Sequence, residues 1–200
     1  MYAKFFKRPL DFLLSLTALL VLSPLLLLLT AVGSVIMRGN PFFTQQRPGR
    51  NEKIFRLIKF RSMTNARDKN GQLLSDNKRL TRYGRILRST SLDELPELFN
   101  IIKGDMALVG PRPLLVEYLS CYTEAEHHRH DVRPGLTGLA QINGRNAQTW
   151  KERFQWDLLY IEKITFRKDL EILLRTVFTV IFHRGIHAEN SVTMEKYTGS

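Results

Sequence analysis

The stretch "FLLSLTALLVLSPLLLLLTAVGSVIM" (12–37) decides the class of fold, because it carries no charged residue over a length that can cross a bilayer. A membrane-spanning helix needs about 20 consecutive apolar residues. A cleaved signal peptide is the competing interpretation, but the run is too long for its apolar core and no small-residue cleavage pattern follows. We therefore predict a helical membrane segment that remains part of the protein.

The middle of this run holds Ser23 and Pro24. Proline removes a backbone donor and kinks a helix, and the Ser23 hydroxyl can bond a carbonyl that the kink leaves free. Basic residues flank both ends of the run, so flanking charge selects no single orientation for a spanning helix. Two topologies fit equally well: a kinked single span, and a re-entrant hairpin whose ends lie on one side of the membrane.

The chain of 200 residues carries a net charge of +11. This length suffices for one domain with its own core, and the charge predicts an anionic partner: nucleic acid, a phospholipid surface or a phosphorylated small molecule. Cys121 is the single cysteine, which excludes a disulfide framework and a cysteine-based metal site.

The remaining pattern predicts an α-rich α/β fold. A β-hairpin is expected around Pro48-Gly49, and a helix from Pro96 to Lys103 that ends at Gly104. Further along, we expect a short strand, a helix, a Gly/Pro loop and a long amphipathic stretch, at 104–115, 116–131, 132–146 and 150–183. Residues 170–182 are unusually apolar and fit either the core or an in-plane interfacial helix.

The segment "SLDELPELFN" (91–100) places two adjacent carboxylates, Asp93 and Glu94, just before Pro96. One interpretation is a capping box formed by Ser91 and Glu94. The other follows from Pro96, which prefers the first position of a helix and would leave both carboxylates on the preceding turn. An ionised aspartate among arginines is a competent nucleophile or metal ligand and a poor general acid.

Two segments suit phosphate recognition, and one histidine-rich segment does not suit a metal. "GPRP" (110–113) presents Arg112 on a rigid turn, and the 132–146 loop combines glycine backbone donors with Arg145. Neither is a Walker A or dinucleotide-binding motif. The histidines of "EHHRHD" (126–131) lack the i, i+4 spacing of paired ligands on one helix face, so we expect an exposed helix end there.

Three segments carry a family resemblance: "KFRSM" (59–63), "TRYGRILRSTSLDELPELFNIIKGDMALVGPRP" (81–113) and "VRPGLTGLAQINGRN" (132–146). In this order, they resemble the bacterial sugar transferase family, and the short chain resembles its small monotopic, PglC-like phosphoglycosyl transferases of bacterial N-glycosylation. The resemblance implies a re-entrant membrane helix–break–helix over 1–38. It also implies a membrane-associated catalytic domain over 39–200, with amphipathic interfacial helices and an active site on the cytoplasmic face of the bacterial inner membrane.

The resemblance also implies a reaction. A UDP-sugar, expected to carry an N-acetylated amino sugar such as diNAcBac, gives its phosphosugar to undecaprenyl phosphate in the presence of Mg²⁺ and releases UMP. This is the first membrane step of glycan assembly on glycoproteins. Expected partners are these two substrates, membrane phospholipids and other glycan-assembly enzymes, and nucleic acid is not expected.

Roles follow residue by residue from the same resemblance. Asp93 is the expected nucleophile and metal ligand in a ping-pong reaction, with Glu94 as its helper. Positions expected to bind substrate or phosphate are Lys59, Arg88, Arg112, Arg145, Asp157 and Asp169. Positions expected to anchor and break the membrane helix are Lys7, Arg8, Asp11, Ser23 and Pro24.

Two alternatives stay open. The first is direct transfer in a ternary complex, with Asp93 as a metal ligand only. The second is a non-catalytic, membrane-tethered basic module whose arginines act additively with salt-dependent affinity, although the sequence shows no RNA-binding motif or aromatic stacking stripe.

Overall fold

The computed structural model of the protein describes residues 1–144, 148–181 and 196–199. Its helices and strands follow the order α1 (Lys7–Ile36), β1 (Phe42–Pro48), β2 (Ile54–Phe60), α2 (Asp76–Arg79), α3 (Arg82–Ser89), α4 (Glu97–Lys103), β3 (Ala107–Val109), α5 (Glu124–His127), β4 (Gly135–Thr137), α6 (Leu139–Ile142), α7 (Trp150–Glu162) and α8 (Phe166–Ile181). A π-helical turn precedes α1 at Tyr2–Phe6, and short 3-10 segments cover Arg50–Glu52, Leu92–Glu94, Val116–Cys121 and His128–His130.

Helix α1 runs through Pro24 without interruption. In a regular helix the backbone N–H of residue 24 would donate to the carbonyl of Leu20, and proline has no such donor. The Ser23 hydroxyl donates to that same carbonyl at 2.8 Å. The predicted bond from Ser23 is therefore confirmed, and α1 is one helix rather than two. A bend of that helix at Ser23 and Pro24 stays a prediction.

The apolar surface of α1 faces outward. Val21 and Leu27 are each 71% exposed and Val35 is 78% exposed, so α1 is not the core helix of a soluble domain. Among the residues that the structure describes, the segment Tyr2–Ile36 is the single helix that is long and apolar enough to cross a membrane.

Both ends of α1 are held by the same domain. Near its start, the Arg8 guanidinium donates to the carbonyls of Ile101 and Ile102, at 2.6 and 2.9 Å, at the C-terminal end of α4. Near its end, the Tyr83 hydroxyl of α3 donates to the carbonyl of Leu29 at 2.8 Å. The contacts of Arg8 and Leu29 therefore fix two well-separated points of α1 on one body.

Strands β1 and β2 form the predicted hairpin, which packs on α4. The strands are antiparallel, from the pair Phe42–Phe60 to the pair Pro48–Ile54 beside the turn. Buried apolar residues join β2 to α4, chiefly Phe55, Leu57, Leu98 and Ile101. Asn100, which is also buried, accepts a hydrogen bond from the N–H of Ile58 and donates one to the carbonyl of Arg56. The hairpin and α4 therefore have a fixed relative register.

Strands β3 and β4 form a two-stranded parallel sheet, in which Ala107 pairs with Gly135 and Val109 with Thr137. The prediction of a Gly/Pro loop over 132–146 was thus partly wrong, since the segment contributes β4 and α6. A Cβ atom on Gly135 would lie 2.1 Å from the backbone nitrogen of Gly110. The glycine permits a close approach of two backbones, rather than the flexibility that loop glycines indicate.

The C-terminal amphipathic stretch is two helices, α7 and α8, and the helix predicted over 116–131 is three short segments. On α8, Ile172 is buried, whereas Leu174 is 62% and Val177 57% exposed. For the described part of 170–182, the core interpretation is therefore confirmed for one face. The other face presents apolar surface, and its place at a membrane interface stays a prediction.

Candidate active site

The two carboxylates lie on a tight turn that enters α4. Ser91 adopts a left-handed conformation with φ 57°, and Pro96 caps the helix, so the turn stores roughly 1–3 kcal/mol of backbone strain. The Ser91 side chain forms no capping hydrogen bond, and the Glu94 carboxylate bonds Lys59 and Arg112 instead. The capping-box interpretation is therefore wrong, and the position of Pro96 is the signal that placed the carboxylates correctly.

This turn opens onto a cleft of about 1020 Å³, large enough for a nucleotide-sized ligand. Five of the predicted site residues line it: Lys59, Arg88, Asp93, Glu94 and Arg112. They come from β2, α3, the turn before α4 and the "GPRP" loop after β3. The fold therefore brings residues that are far apart in the sequence together around one cleft.

Glu94 is clamped between two cations. Its Oε1 atom accepts hydrogen bonds from Lys59 Nζ at 2.8 Å and from Arg112 Nη2 at 2.6 Å. Burial alone would raise the pKa of Glu94, but Arg112 and Lys59 outweigh it and hold that pKa well below its usual range. The result is a fixed, permanently ionised carboxylate beside Asp93.

The environment of Asp93 is different, although it is directly adjacent to Glu94 in the sequence. Within the described ranges, no hydrogen bond or ion pair engages its carboxylate. Burial and the charge of Glu94 raise the pKa of Asp93 to about 6, against the opposing effect of Lys59, Arg88 and Arg112. An unengaged carboxylate of this kind can attack an electrophile at neutral pH, because no internal partner has to be displaced first.

Glu97 is a cleft residue that the sequence analysis missed. It is 3% exposed, and its Oε1 atom lies 3.0 Å from Lys59 Nζ. Burial raises the pKa of Glu97 to about 7, with a further contribution from Glu94. Its position directly after Pro96, as the first residue of α4, was the available signal, since the start of that helix adjoins the turn that carries Asp93 and Glu94.

The acidic groups of the cleft fit a hard divalent cation. Mg²⁺ prefers carboxylate oxygens and keeps several of its waters. Asp93 offers both oxygens, and Lys59 and Arg112 occupy only Oε1 of Glu94. This donor set agrees with the expectation that Asp93 is a metal ligand.

The structure does not bring two other predicted residues to the cleft. Asp157 forms a buried ion pair with Arg129, whose Nη2 lies 2.7 Å from its carboxylate. Asp169 accepts hydrogen bonds from Lys7 Nζ at 2.7 Å and from the Tyr160 hydroxyl at 2.8 Å. Both aspartates therefore hold the domain together, and Arg145, the remaining predicted phosphate ligand, lies outside the described residues.

The three charges predicted to anchor the membrane helix contact the domain. Lys7 pairs with Asp169, Arg8 binds the end of α4, and an Asp11 oxygen accepts a hydrogen bond from the N–H of Leu108 at 3.3 Å. These side chains therefore anchor the start of α1 to the domain, because each finds a complementary partner there.

Comparisons with known proteins give consistent results. A family model described as bacterial sugar transferase matches residues 2–183. The sugar transferase EpsL of Bacillus subtilis is 49% identical over 189 residues, which cover 94% of this chain and 91% of that protein. A UDP-glucose:undecaprenyl-phosphate glucose-1-phosphate transferase of Klebsiella pneumoniae is 41% identical across 91% of this chain. An undecaprenyl-phosphate galactose phosphotransferase of Salmonella typhimurium is 36% identical across 92% of it. The chain spans 41% and 42% of those last two proteins.

Proposed function

Because the chain belongs to the bacterial sugar transferase family and is a phosphoglycosyl transferase, we propose that it transfers a phosphosugar from a UDP-sugar to undecaprenyl phosphate and releases UMP. The observation that carries this proposal is the unengaged Asp93 carboxylate in a cleft lined by Lys59, Arg88 and Arg112. The names of the Klebsiella and Salmonella relatives support the lipid acceptor. A non-catalytic basic module has no use for such a carboxylate.

The first step is an attack by an Asp93 oxygen on the β-phosphorus of the UDP-sugar. A bond forms between that oxygen and the phosphorus, while the bond from the phosphorus to the bridging oxygen breaks and UMP leaves with the electron pair. Guanidinium and ammonium groups stabilise charge that develops on phosphate oxygens. Arg112 is held in place for this role, because Arg129 donates to its backbone carbonyl at 2.8 Å.

In the second step, an oxygen of undecaprenyl phosphate attacks the same phosphorus and displaces Asp93. The product is undecaprenyl-diphosphosugar, and the aspartate is regenerated. Mg²⁺, held by Asp93 with help from Glu94, would neutralise charge on the diphosphate. Direct transfer in a ternary complex is the alternative for the same cleft, and initial-rate kinetics distinguish it from ping-pong behaviour.

The donor sugar and the pathway remain part of the proposal. The sequence resemblance favours an N-acetylated amino sugar such as that of UDP-diNAcBac and a role in glycoprotein assembly. The two named relatives act on glucose and galactose donors. A donor panel should therefore contain UDP-diNAcBac, UDP-N-acetylglucosamine, UDP-glucose and UDP-galactose.

We expect purified protein with Mg²⁺, undecaprenyl phosphate and its correct UDP-sugar to release UMP at a rate that rises with pH through about 6. The reason is that Asp93 attacks only when ionised, and its pKa is raised to about 6. The same shift makes the stability of the fold depend on pH. The raised pKa of Asp93 contributes fully to the free energy of unfolding below pH 3.8, its ordinary pKa, and this contribution is lost as the pH rises through about 6. UMP release and lipid-product formation across pH 5–8 check this expectation.

Omission of the lipid phosphate is the matched control for turnover. Failure of every donor in the panel to give a lipid-linked product would contradict the proposed reaction. A rate that falls between pH 5 and pH 7 would contradict the role of Asp93 as an ionised nucleophile.

We also propose that the protein is monotopic in the inner membrane, with its catalytic domain on the cytoplasmic face. The support is that the same domain holds α1 at Arg8 and at Leu29. A helix that crossed the bilayer would carry these two points to opposite sides of it, about 30 Å apart. A re-entrant arrangement buries the exposed apolar side chains of α1 in lipid and keeps both anchoring points on one side.

The topology predicts that both flanks of α1 are cytoplasmic. In a Cys121→Ser background, Ala3→Cys and Asn40→Cys should resist a membrane-impermeant maleimide in intact spheroplasts and react after permeabilisation. Lys69→Cys, in an exposed loop of the domain, supplies the reference for the domain side. Labelling of exactly one flank in intact spheroplasts would establish a single span and overturn the proposal.

A further inference from the structure

A second group of possible metal ligands lies outside the cleft. Glu52, in the turn of the β1–β2 hairpin, meets His127 and His130, and one ligand atom from each lies within 4.8 Å of the others. His127 Nδ1 is hydrogen-bonded to Glu52 Oε1. His130 Nδ1 lies 3.4 Å from the same oxygen. None of the three residues lines the catalytic cleft.

His130 is the residue that makes this group more than a surface cluster. Its side chain is 6% exposed, and neither ring nitrogen meets hydrogen-bond geometry with a partner. A buried polar group without a partner destabilises the folded state. An imidazole that is buried in this way, next to a carboxylate and a second imidazole, is placed to bind a metal ion.

We infer that Glu52, His127 and His130 form a binding site for a borderline divalent metal ion such as Zn²⁺, with water as the fourth ligand. Two imidazoles and one carboxylate are a typical zinc ligand set. Bonds of about 2.1 Å in a tetrahedron separate the ligand atoms by roughly 3.4 Å. The distance from His130 Nδ1 to Glu52 Oε1 has this value already, and the metal would replace the hydrogen bond between His127 and Glu52.

The site would fasten the hairpin turn to the 3-10 segment His128–His130. Arg129, in the middle of that segment, pairs with Asp157 and donates to the carbonyl of Arg112. The metal site would therefore support the segment whose arginine holds Arg112 at the cleft. It would act as a structural site, separate from the Mg²⁺ of the reaction.

The test uses full-length protein without a histidine tag, treated with chelator and kept in detergent. Titration with Co²⁺ should give the absorption bands of a tetrahedral complex at one ion per chain, and Zn²⁺ should displace it. Zn²⁺ at about 100 times its Kd should raise the Tm by roughly 5 °C. Glu52→Gln and His127→Gln should each weaken binding by at least ~10-fold.

The matched control is His128→Gln, since His128 is exposed and pairs with Asp131 outside the group. It should bind Co²⁺ and Zn²⁺ like the unmodified protein, and so should Asp93→Asn, which excludes the catalytic cleft as the source of the signal. Glu52 and His127 are partly exposed, so their variants should fold even if His130→Ala does not. Unchanged affinity in Glu52→Gln and His127→Gln, or no stoichiometric binding at all, would overturn the inference.

Discussion

Replacement of Asp93 by asparagine should reduce UMP release by at least ~10³-fold, the scale on which enzymes lose turnover when a nucleophile is removed. Asparagine has nearly the same shape but no anionic oxygen, so the cleft should stay intact while the attack on phosphorus fails. Intact-protein mass spectrometry after incubation with UDP-sugar and Mg²⁺, without the lipid, should show an added phosphosugar in the unmodified protein. Asp93→Asn should show none.

The control for this experiment is Asp68→Asn, which makes the same chemical change in an exposed loop and should keep both adduct and turnover. Membrane association of Asp93→Asn should be unchanged, because α1 and its contacts do not involve this residue. Full turnover in Asp93→Asn would end the proposal for Asp93. An unmodified protein that forms no adduct even under rapid acid quench, and releases UMP only with the lipid present, would favour the ternary-complex mechanism.

Replacement of Asp157 by asparagine should lower the free energy of unfolding by about 3–5 kcal/mol, because it leaves the guanidinium of Arg129 buried without a counter-charge. The side chains of the pair are only 1% and 2% exposed, so water cannot compensate. Thermal unfolding in detergent, monitored by circular dichroism, measures the effect. The double replacement Arg129→Leu/Asp157→Leu should recover much of the lost stability, since no unpaired charge remains.

An exposed ion pair gives the matched comparison. Arg175 and Glu171 pair on the surface of α8 with more than half of each side chain exposed, so Glu171→Gln should cost less than about 1 kcal/mol. If Asp157→Asn proved as stable as Glu171→Gln, its role would not be structural, and the earlier expectation of a substrate contact would regain support.

The sequence predicted the local elements of the site well, because each has a short-range cause. Pro96 placed Asp93 and Glu94 before α4, and the rigid "GPRP" turn placed Arg112. The turn residues Pro48 and Gly49 predicted the β1–β2 hairpin, whose turn follows the pair Pro48–Ile54. Each of these signals acts within a few residues of the feature that it determines.

Features that depend on distant partners were not predictable in this way. Asp157 looks like a ligand in the sequence until Arg129, from another segment, takes its charge. The histidines of the 126–131 segment lack the spacing of paired metal ligands on one helix face. Glu52, which joins His127 and His130 in one group, comes from a hairpin turn far earlier in the chain, so the sequence did not predict that group. Strand β4 was not predicted, because Gly135 is needed there for the close approach of its backbone to Gly110. No local sequence pattern indicates that contact.

Arg8 joins α1 to the C-terminal end of α4, and the turn that carries Asp93 lies at the other end of that short helix. At 1.5 Å per residue, the seven residues of α4 set a rise of about 10 Å between them. With α1 seated in lipid as proposed, Asp93 then has one fixed height above the hydrocarbon. In the proposed reaction, the lipid acceptor would reach Asp93 by lateral diffusion alone, a search in two dimensions, while the donor would arrive from solution. The rate of transfer to the lipid acceptor should therefore depend on the number of acceptor molecules per unit area of bilayer. Dilution of the membranes into more buffer, at a constant donor concentration, should leave that rate unchanged.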